Sequence, residues 1–210
     1  MEWKYSEDNK SIIFDHNSDM YWKSQDNSFR EEDGPVHIGR NQLVIDILLE
    51  HCSNIKTVCD IGCRLGVSLP LFEKLNIKAT GVEISPRAVE YGKSLGRSVI
   101  KGDIHELSNI VDETFDAIFS IHSLEHCYDP NKVLEECYKV LNPNGCIIIR
   151  LPVQKDLTVQ RNKDGIYGKL PPHYSVFTFE YLEELLLSNN FDVIYKEDWE
   201  KEVIMIGEKV

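Results

Sequence analysis

Three acidic residues close short apolar runs in this sequence. Asp60 lies in Val58-Cys59-Asp60-Ile61-Gly62-Cys63-Arg64-Leu65-Gly66, Glu83 in Gly81-Val82-Glu83-Ile84-Ser85, and Asp103 in Lys101-Gly102-Asp103-Ile104. Carboxylates at strand ends of an open α/β sheet face the crevice where ligands bind, and can accept hydrogen bonds there. A dinucleotide fingerprint, G-x-G-x-x-G, needs its second glycine to clear room for a pyrophosphate. Aligned on Gly62, that register places Arg64 and Val67 where glycines belong, which disfavours a nicotinamide or flavin dinucleotide. No G-x-x-x-x-G-K-[ST] phosphate loop occurs either. The remaining pattern, D-x-G-x-x-x-G, suits a nucleoside-sized ligand without pyrophosphate. Glu83 follows Gly66 by 17 residues, where an acid accepts bonds from ribose hydroxyls. Asp103 could accept one from an exocyclic adenine amine. Bland alternatives stay open: Asp60 could cap its turn, and Glu83 could be a solvated strand end.

A second group is His122-Ser123-Leu124-Glu125-His126. It matches H-x-x-E-H, a zinc-peptidase pattern, but metal chemistry would need one regular helix and a distant third ligand. The motif follows an apolar run and precedes Pro130, so no metal is expected. Either histidine could be a general base, since imidazole titrates near neutral pH. The alternative is a hydrogen-bonded histidine that shapes the pocket, which is favoured for His126 and evenly balanced for His122. Tyr128-x-x-x-Lys132 superficially matches a dehydrogenase pair, but Asp129-Pro130 interrupts the helix it needs. His16, His51 and His105 read as surface residues. His37 and Arg40 precede the core and could close over a ligand.

The elements that position these residues alternate. Helix is expected from His37 to Cys52, with Leu43, Val44, Ile47 and Leu48 on one face. Strands are expected at Thr57–Ile61, Ala79–Ile84, Ser98–Lys101, Phe115–Ile121 and Cys146–Leu151. Helices are expected over roughly 66–75, after the Ser85-Pro86 start up to Gly96, near 104–111, and over Pro130–Leu141. Asn142-Pro143-Asn144-Gly145 reads as a turn. The runs Ala117–Phe119 and Cys146–Ile149 are continuously apolar, as in strands covered on both faces. The fold class is therefore doubly wound α/β with a mostly parallel sheet. A helix over 178–189 precedes strands at Phe191–Trp199 and Glu202–Gly207. So short a link requires an antiparallel C-terminal hairpin. Residues 1–36 read as an irregular extension or lid, and 37–210 as one domain. The polar segment 153–176 reads as a substrate-side insertion.

The chain has 210 residues with 23 Lys+Arg and 35 Asp+Glu, a formal charge of −12. That balance disfavours nucleic-acid partners, whose phosphates draw affinity from basic side chains. No apolar run is long enough to span a membrane, and Met1 to Lys10 is too polar for a secretory signal. The six cysteines form no C-x-x-C pair and read as reduced core residues, so a cytoplasmic location is expected.

The ordered set VCDIGCRLG, GVEISPRAVEYGKSLG, KGDIHEL, FDAIFSIHSLEH, VLEECYKVLNPNGCIIIRLP and HYSVFTFEYLEELLLSNNFDVI covers about 55–210. In that set the chain resembles the class I S-adenosylmethionine (SAM)-dependent methyltransferases, particularly their small-molecule branch. The resemblance implies a seven-stranded sheet of core order 3-2-1-4-5-7-6 with the seventh strand antiparallel. It implies SAM as cofactor and S-adenosylhomocysteine as product. Asp60, Gly62, Cys63, Arg64 and Gly66 would hold the methionine moiety. Glu83 and Ile84 would sit at the ribose, Asp103 and Ile104 at adenine, and Ser120, Ile121 and His122 along the pocket wall. The family usually has glycine where Arg64 stands, so Arg64 could alter cofactor affinity or reach the substrate. Related enzymes often carry a histidine before the helix that starts near 178. This makes His173 a third candidate base, with helix capping as its alternative. The expected reaction is in-line methyl transfer to an oxygen or nitrogen of a small metabolite. A protein or peptide methyltransferase and a non-catalytic SAM-binding module remain as alternatives.

Overall fold

The computed structural model describes residues 3–5, 12–14, 34–153 and 175–210. At the start, β1 (Trp3–Tyr5) pairs antiparallel with β2 (Ile12–Phe14), so part of the segment read as irregular is a hairpin. Helix α1 (Pro35–His51) follows, with Pro35 in its first turn. Then come β3 (Thr57–Ile61), α2 (Leu69–Glu73), β4 (Lys78–Glu83), α3 (Pro86–Ser94) and β5 (Val99–Lys101). A 3-10 turn over Ile104–Glu106 leads into α4 (Leu107–Ile110), and β6 (Phe115–Ile121) ends at a second 3-10 turn, Leu124–His126. The chain closes with α5 (Pro130–Val140), β7 (Leu141–Pro152), α6 (Phe179–Ser188), β8 (Phe191–Asp198) and β9 (Glu202–Lys209).

Strands β3 to β9 form one seven-stranded sheet in the order β5-β4-β3-β6-β7-β9-β8. The first five strands are mutually parallel, and β9 inserts antiparallel between β7 and β8. Counted along the core strands, this is the expected 3-2-1-4-5-7-6 order.

The two-residue period of the strands divides the core between the sheet's faces. Cys59, Ile118, Ile147, Ile149 and Met205 join the apolar faces of α5 and α6 in one cluster. Val58, Ala117, Phe119, Ile148 and Ile204 join α1 and α2 in the other. Phe119 meets Phe72 edge-on, with ring centroids 5.2 Å apart. Side-chain caps start three helices, as Ser85, Asp129 and Thr178 accept from the backbone N–H groups of Ala88, Lys132 and Tyr181.

Several local expectations shift. Helix α2 starts at Leu69 rather than near 66, because Gly66 is left-handed (φ 68°) and cannot open a right-handed turn. The turn at Asn142–Gly145 lies inside β7, which is bulged opposite Phe115–Ala117 and carries Asn144 at φ 59°. Leu43 is 47% exposed, and α1 packs through Val44, Ile45 and Leu48 instead. Most of 153–176, including His173, lies outside the described residues.

Phe119 is fully buried on the strand that carries the site. Phe119→Ala is expected to cost roughly 3–5 kcal/mol of unfolding free energy. Urea denaturation of the variant against the wild type measures this directly.

Candidate functional site

The C-terminal ends of four neighbouring parallel strands, β5, β4, β3 and β6, carry Asp103, Glu83, Asp60 and Ser120–His122. This is the edge of an α/β sheet where ligands bind. Between β3 and α2 the chain turns through three left-handed residues, Gly62 (φ 66°), Arg64 (φ 49°) and Gly66 (φ 68°). A Cβ on Gly62 would stand 2.4 Å from Ser123 Oγ, so both the conformation and the close approach require glycine. Arg64 holds a conformation that costs an L-residue roughly 1–2 kcal/mol. This is the physical reason a glycine is usual at that place.

The turn supports Glu83. The Arg64 backbone N–H donates to Glu83 Oε2 at 2.9 Å, and the Ser85 N–H donates to Oε1 at 2.8 Å. Each oxygen keeps further lone-pair capacity for a ligand hydroxyl. Burial raises the Glu83 pKa, while the two backbone donors and the Arg64 charge pull it back in part. Asp60 is buried as well and accepts from Ser68 Oγ. Burial pushes its pKa up to about 7, against the Ser68 bond and with help from the Glu83 charge. Cys63 packs beneath the turn, its Sγ filling the space where Gly81 lacks a Cβ, and burial pushes this thiol well above its ordinary range. It is a packing residue and no nucleophile.

Around this pair, Ile84 is 37% exposed beside Glu83 and offers an apolar surface there. Asp103 Oδ1 accepts from the His105 N–H at 3.0 Å and lies 2.6 Å from His105 Nδ1. His105, read from sequence as a surface residue, is buried. The 3-10 turn swings it inward, where it stacks on Tyr128 with centroids 3.8 Å apart. Ile104 is buried beside it. Ser120 Oγ is buried with no hydrogen-bond partner, an unused polar group at the end of β6. Ile121 pairs with Arg150 across to β7.

His122 is left-handed too (φ 53°), held there by its N–H donating to Arg150 O at 2.8 Å. Its Nδ1 lies 3.2 Å from Glu125 Oε1 and its Nε2 lies 3.1 Å from Glu202 Oε1. His126 Nε2 is 4.0 Å from the same Glu125 oxygen. The H-x-x-E-H residues thus occupy a strand end and a 3-10 turn, and no metal-holding group of His, Cys, Asp or Glu exists among the described residues. Tyr128 precedes α5, which Asp129 caps, so Tyr128 and Lys132 do not share a helix. His51 is on the surface as expected, against Tyr195; His16 lies outside the described residues. His37 and Arg40 occupy the first turns of α1.

Sequence reasoning missed Ser68, Ser123, Arg150 and Glu202. Ser123 lay inside the histidine motif, so its position was available. Its role, donating to Ile61 O at 2.9 Å beneath Gly62, depends on a contact 62 residues away. Arg150 and Glu202 gave no local signal, because β9 brings them together only in the folded sheet.

The donor set fits a nucleoside bearing a positive charge. Two buried carboxylates, Glu83 held by backbone N–H groups and Asp60 by the Ser68 hydroxyl, and the orphaned Ser120 hydroxyl stand at neighbouring strand ends. A bound cation would favour the ionised forms of Asp60 and Glu83 that burial disfavours.

Comparison with known proteins agrees. Residues 59–149 match the family model described as "Methyltransferase domain". Ajmaline N-methyltransferase of Rauvolfia serpentina is 30% identical over 111 residues, 49% of this chain and 38% of that protein. Sterol 4-C-methyltransferase of Caenorhabditis elegans is 31% identical over 109 residues, 48% of this chain and 32% of its own length. The chain thus spans about a third of the length of these curated relatives. The crystal structure of a S-adenosylmethionine-dependent methyltransferase from Clostridium acetobutylicum superposes with a TM-score of 0.68 at 14% identity, covering 87% of this chain and 98% of that one.

The raised Asp60 pKa makes a stability prediction. A carboxyl that binds its proton more tightly folded than unfolded stabilises the fold below its unfolded pKa, and that contribution is lost as pH rises through about 7. The ligand-free protein should lose on the order of 1–4 kcal/mol from this group between mildly acidic pH and pH 8. Asp60→Asn should flatten that part of the profile, and melting curves at pH 5, 6, 7 and 8 read it. Identical slopes in both proteins would refute the assignment.

Residues 59–149 of the chain thus match the methyltransferase domain, on a fold shared with that S-adenosylmethionine-dependent methyltransferase.

Proposed function

We propose that this chain transfers a methyl group from SAM to an oxygen or nitrogen of a small molecule. The observation that carries this reading is the buried Asp60–Glu83 pair around a left-handed glycine turn, with a histidine at the next strand end. Asp60, Gly62, Cys63, Arg64 and Gly66 form the methionine-side cradle. Glu83 accepts the ribose hydroxyls with Ile84 beside it, Asp103 and Ile104 border the adenine, and Ser120 and Ile121 complete the wall. Bound there, SAM supplies an electrophilic methyl carbon, which bonds to the acceptor's lone pair as the carbon–sulfur pair returns to sulfur.

The protein's share of the work is alignment and exclusion of water. Holding two reactants in line can account for roughly 7–11 kcal/mol of a barrier. His122 is the general base in this reading, since it follows β6 directly at the strand end. His126 shares the Glu125 carboxylate and shapes the same wall. His173 belongs to the acceptor-side segment 153–176, and residues 1–36 are the candidate lid. An acceptor whose O–H or N–H must lose a proton matches an imidazole at this position. The relatives described above are named as an N- and a C-methyltransferase, which supports methyl transfer in general and leaves the acceptor atom to this chemical argument. The formal charge of −12 favours acceptors other than nucleic acid, in keeping with a small-molecule enzyme of the cytoplasm. Among the described residues no helix is long and apolar enough to cross a membrane.

Calorimetry with SAM and S-adenosylhomocysteine tests the cofactor reading. Both should bind at submillimolar concentration. Glu83→Gln should weaken SAM by about ten- to hundredfold, the worth of a charge-assisted hydrogen bond. Near pH 7 SAM should release more protons than S-adenosylhomocysteine, since only SAM brings a sulfonium charge to ionise Asp60. Failure to bind either compound, or unchanged affinity in the variant, would sink the reading.

A further inference from the structure

The carboxylate of Asp103 stands at the ligand-binding edge on a buried support. Its side chain is 39% exposed, whereas that of His105, which it touches, is 7% exposed. Asp103 Oδ1 meets two nitrogens of that one residue, the backbone N–H at 3.0 Å and the ring Nδ1 at 2.6 Å. On the other side of the ring, the Asp129 N–H donates to His105 Nε2 at 3.4 Å. The ring face lies against Tyr128 at an interplanar angle of 13°. Tyr128 and Asp129 precede α5, and Asp129 Oδ1 accepts from the Lys132 N–H at 3.0 Å to cap that helix.

These contacts fix the proton of the ring. A backbone N–H can only donate, so Nε2 presents its lone pair to Asp129, and the single proton of the neutral imidazole sits on Nδ1. There it donates to a carboxylate, which makes the stronger, charge-assisted kind of bond. A side chain that takes two donors on one oxygen has given up its rotational freedom before any ligand arrives. The main chain beside it is tied as well, since the Gly102 N–H donates to Glu83 O at 2.9 Å. The bracing spans two strand ends. Asp103 follows β5, whereas Tyr128 and Asp129 follow the 3-10 turn after β6.

We propose that His105 is a positioning residue and a specificity determinant of the cofactor site. As the Nδ1–H tautomer it holds the Asp103 carboxylate ready for the exocyclic amine of adenine, and so makes the site select a 6-aminopurine nucleoside. This inference rests on the reading that Asp103 borders the adenine. An ionised carboxylate only accepts hydrogen bonds, so a purine that carries an amine at this edge supplies what it needs. A purine without the amine leaves the carboxylate unanswered on displacing its water. An unsupported carboxylate would have to be ordered on meeting the amine, at the expense of binding. His105 orders it in the free protein, so more of the bond's strength appears as selectivity.

Calorimetry of the full chain separates this selectivity from general stability. The probes are S-adenosylhomocysteine and its 6-deamino analogue, in which hydrogen replaces the exocyclic amine and the rest of the base is unchanged. The wild type should prefer S-adenosylhomocysteine by at least about tenfold, the low end for a hydrogen bond to a charged group. His105→Phe keeps an aromatic ring for Tyr128 and removes both ring nitrogens. It should reduce the preference to about threefold or less. His105→Asn, whose amide N–H can stand in for Nδ1–H, should restore about tenfold or more. A merely structural histidine would weaken both probes equally, so an unchanged preference in His105→Phe overturns the proposal. A His105→Asn protein that selects no better than His105→Phe overturns it too. Nitrogen-15 NMR at pH 8, with the His105 ring signals assigned by their loss in His105→Asn, should show the wild-type ring as Nδ1–H. A ring in the Nε2–H form overturns the proposal by itself, so the test survives even where His105→Phe fails to fold. If the wild type does not bind S-adenosylhomocysteine at all, the cofactor reading falls and this proposal with it. An unchanged preference in the variant sinks this proposal alone.

Discussion

Two carboxylates buried at adjacent strand ends are the condition the rest of this molecule answers to. Asp60 and Glu83 stand on hydrogen-bonded neighbours, β3 and β4, and the Glu83 charge adds to what burial does in raising the Asp60 pKa. Water cannot solvate them, so the fold supplies donors instead. Ser68 from the start of α2 serves Asp60, and the N–H groups of Arg64 and Ser85 serve Glu83. Ser85 works twice: its N–H holds Glu83 while its hydroxyl caps α3. The left-handed geometry at Gly62, Arg64 and Gly66 follows from bringing the Arg64 N–H back over β4. Ser123 then locks Gly62 from the β6 side. Local backbone strain, helix capping and strand order are thus parts of one solution to a charge-burial problem.

This explains which features were legible in the sequence. The acid–glycine pattern of the first turn, the acid closing the second strand and the continuously apolar strands are local signals, and each states its own physics. The antiparallel end came through because β8 and β9 are joined by so short a link that no other pairing is sterically possible, whereas the strand order was legible only through the family resemblance. His105 was misread because polarity alone cannot distinguish a solvated histidine from one sealed between a carboxylate and an aromatic ring. Leu43 was misread because the apolar stripe of α1 is wider than the surface the sheet offers it. Ser68, Arg150 and Glu202 were silent because their partners are far away in sequence, and nothing in a neighbouring residue announces such a contact.

The site divides unequally between rigidity and adaptability. Asp60 and Glu83 are buried on consecutive parallel strands, where hydrogen bonds can be pre-positioned. Elsewhere, Val153 and Phe177, on either side of segment 154–174, form an isolated parallel bridge, and the N–H and hydroxyl of Ser175 bond to Glu125 O and Cys127 O. The turn that carries Glu125 and His126 is therefore fastened to the point where that segment returns.

The insertion of β9 between β7 and β8 sets an order of assembly. Asp60, Glu83, Asp103 and Ser120 stand at the ends of β3, β4, β5 and β6, contiguous chain from Thr57 to His126. Glu202 arrives beside the His122 ring only on β9, where it pairs with Pro152 while Ile204 pairs with Arg150. During synthesis these strand ends can therefore come together before β9, a strand from much later in the chain, docks beside β7.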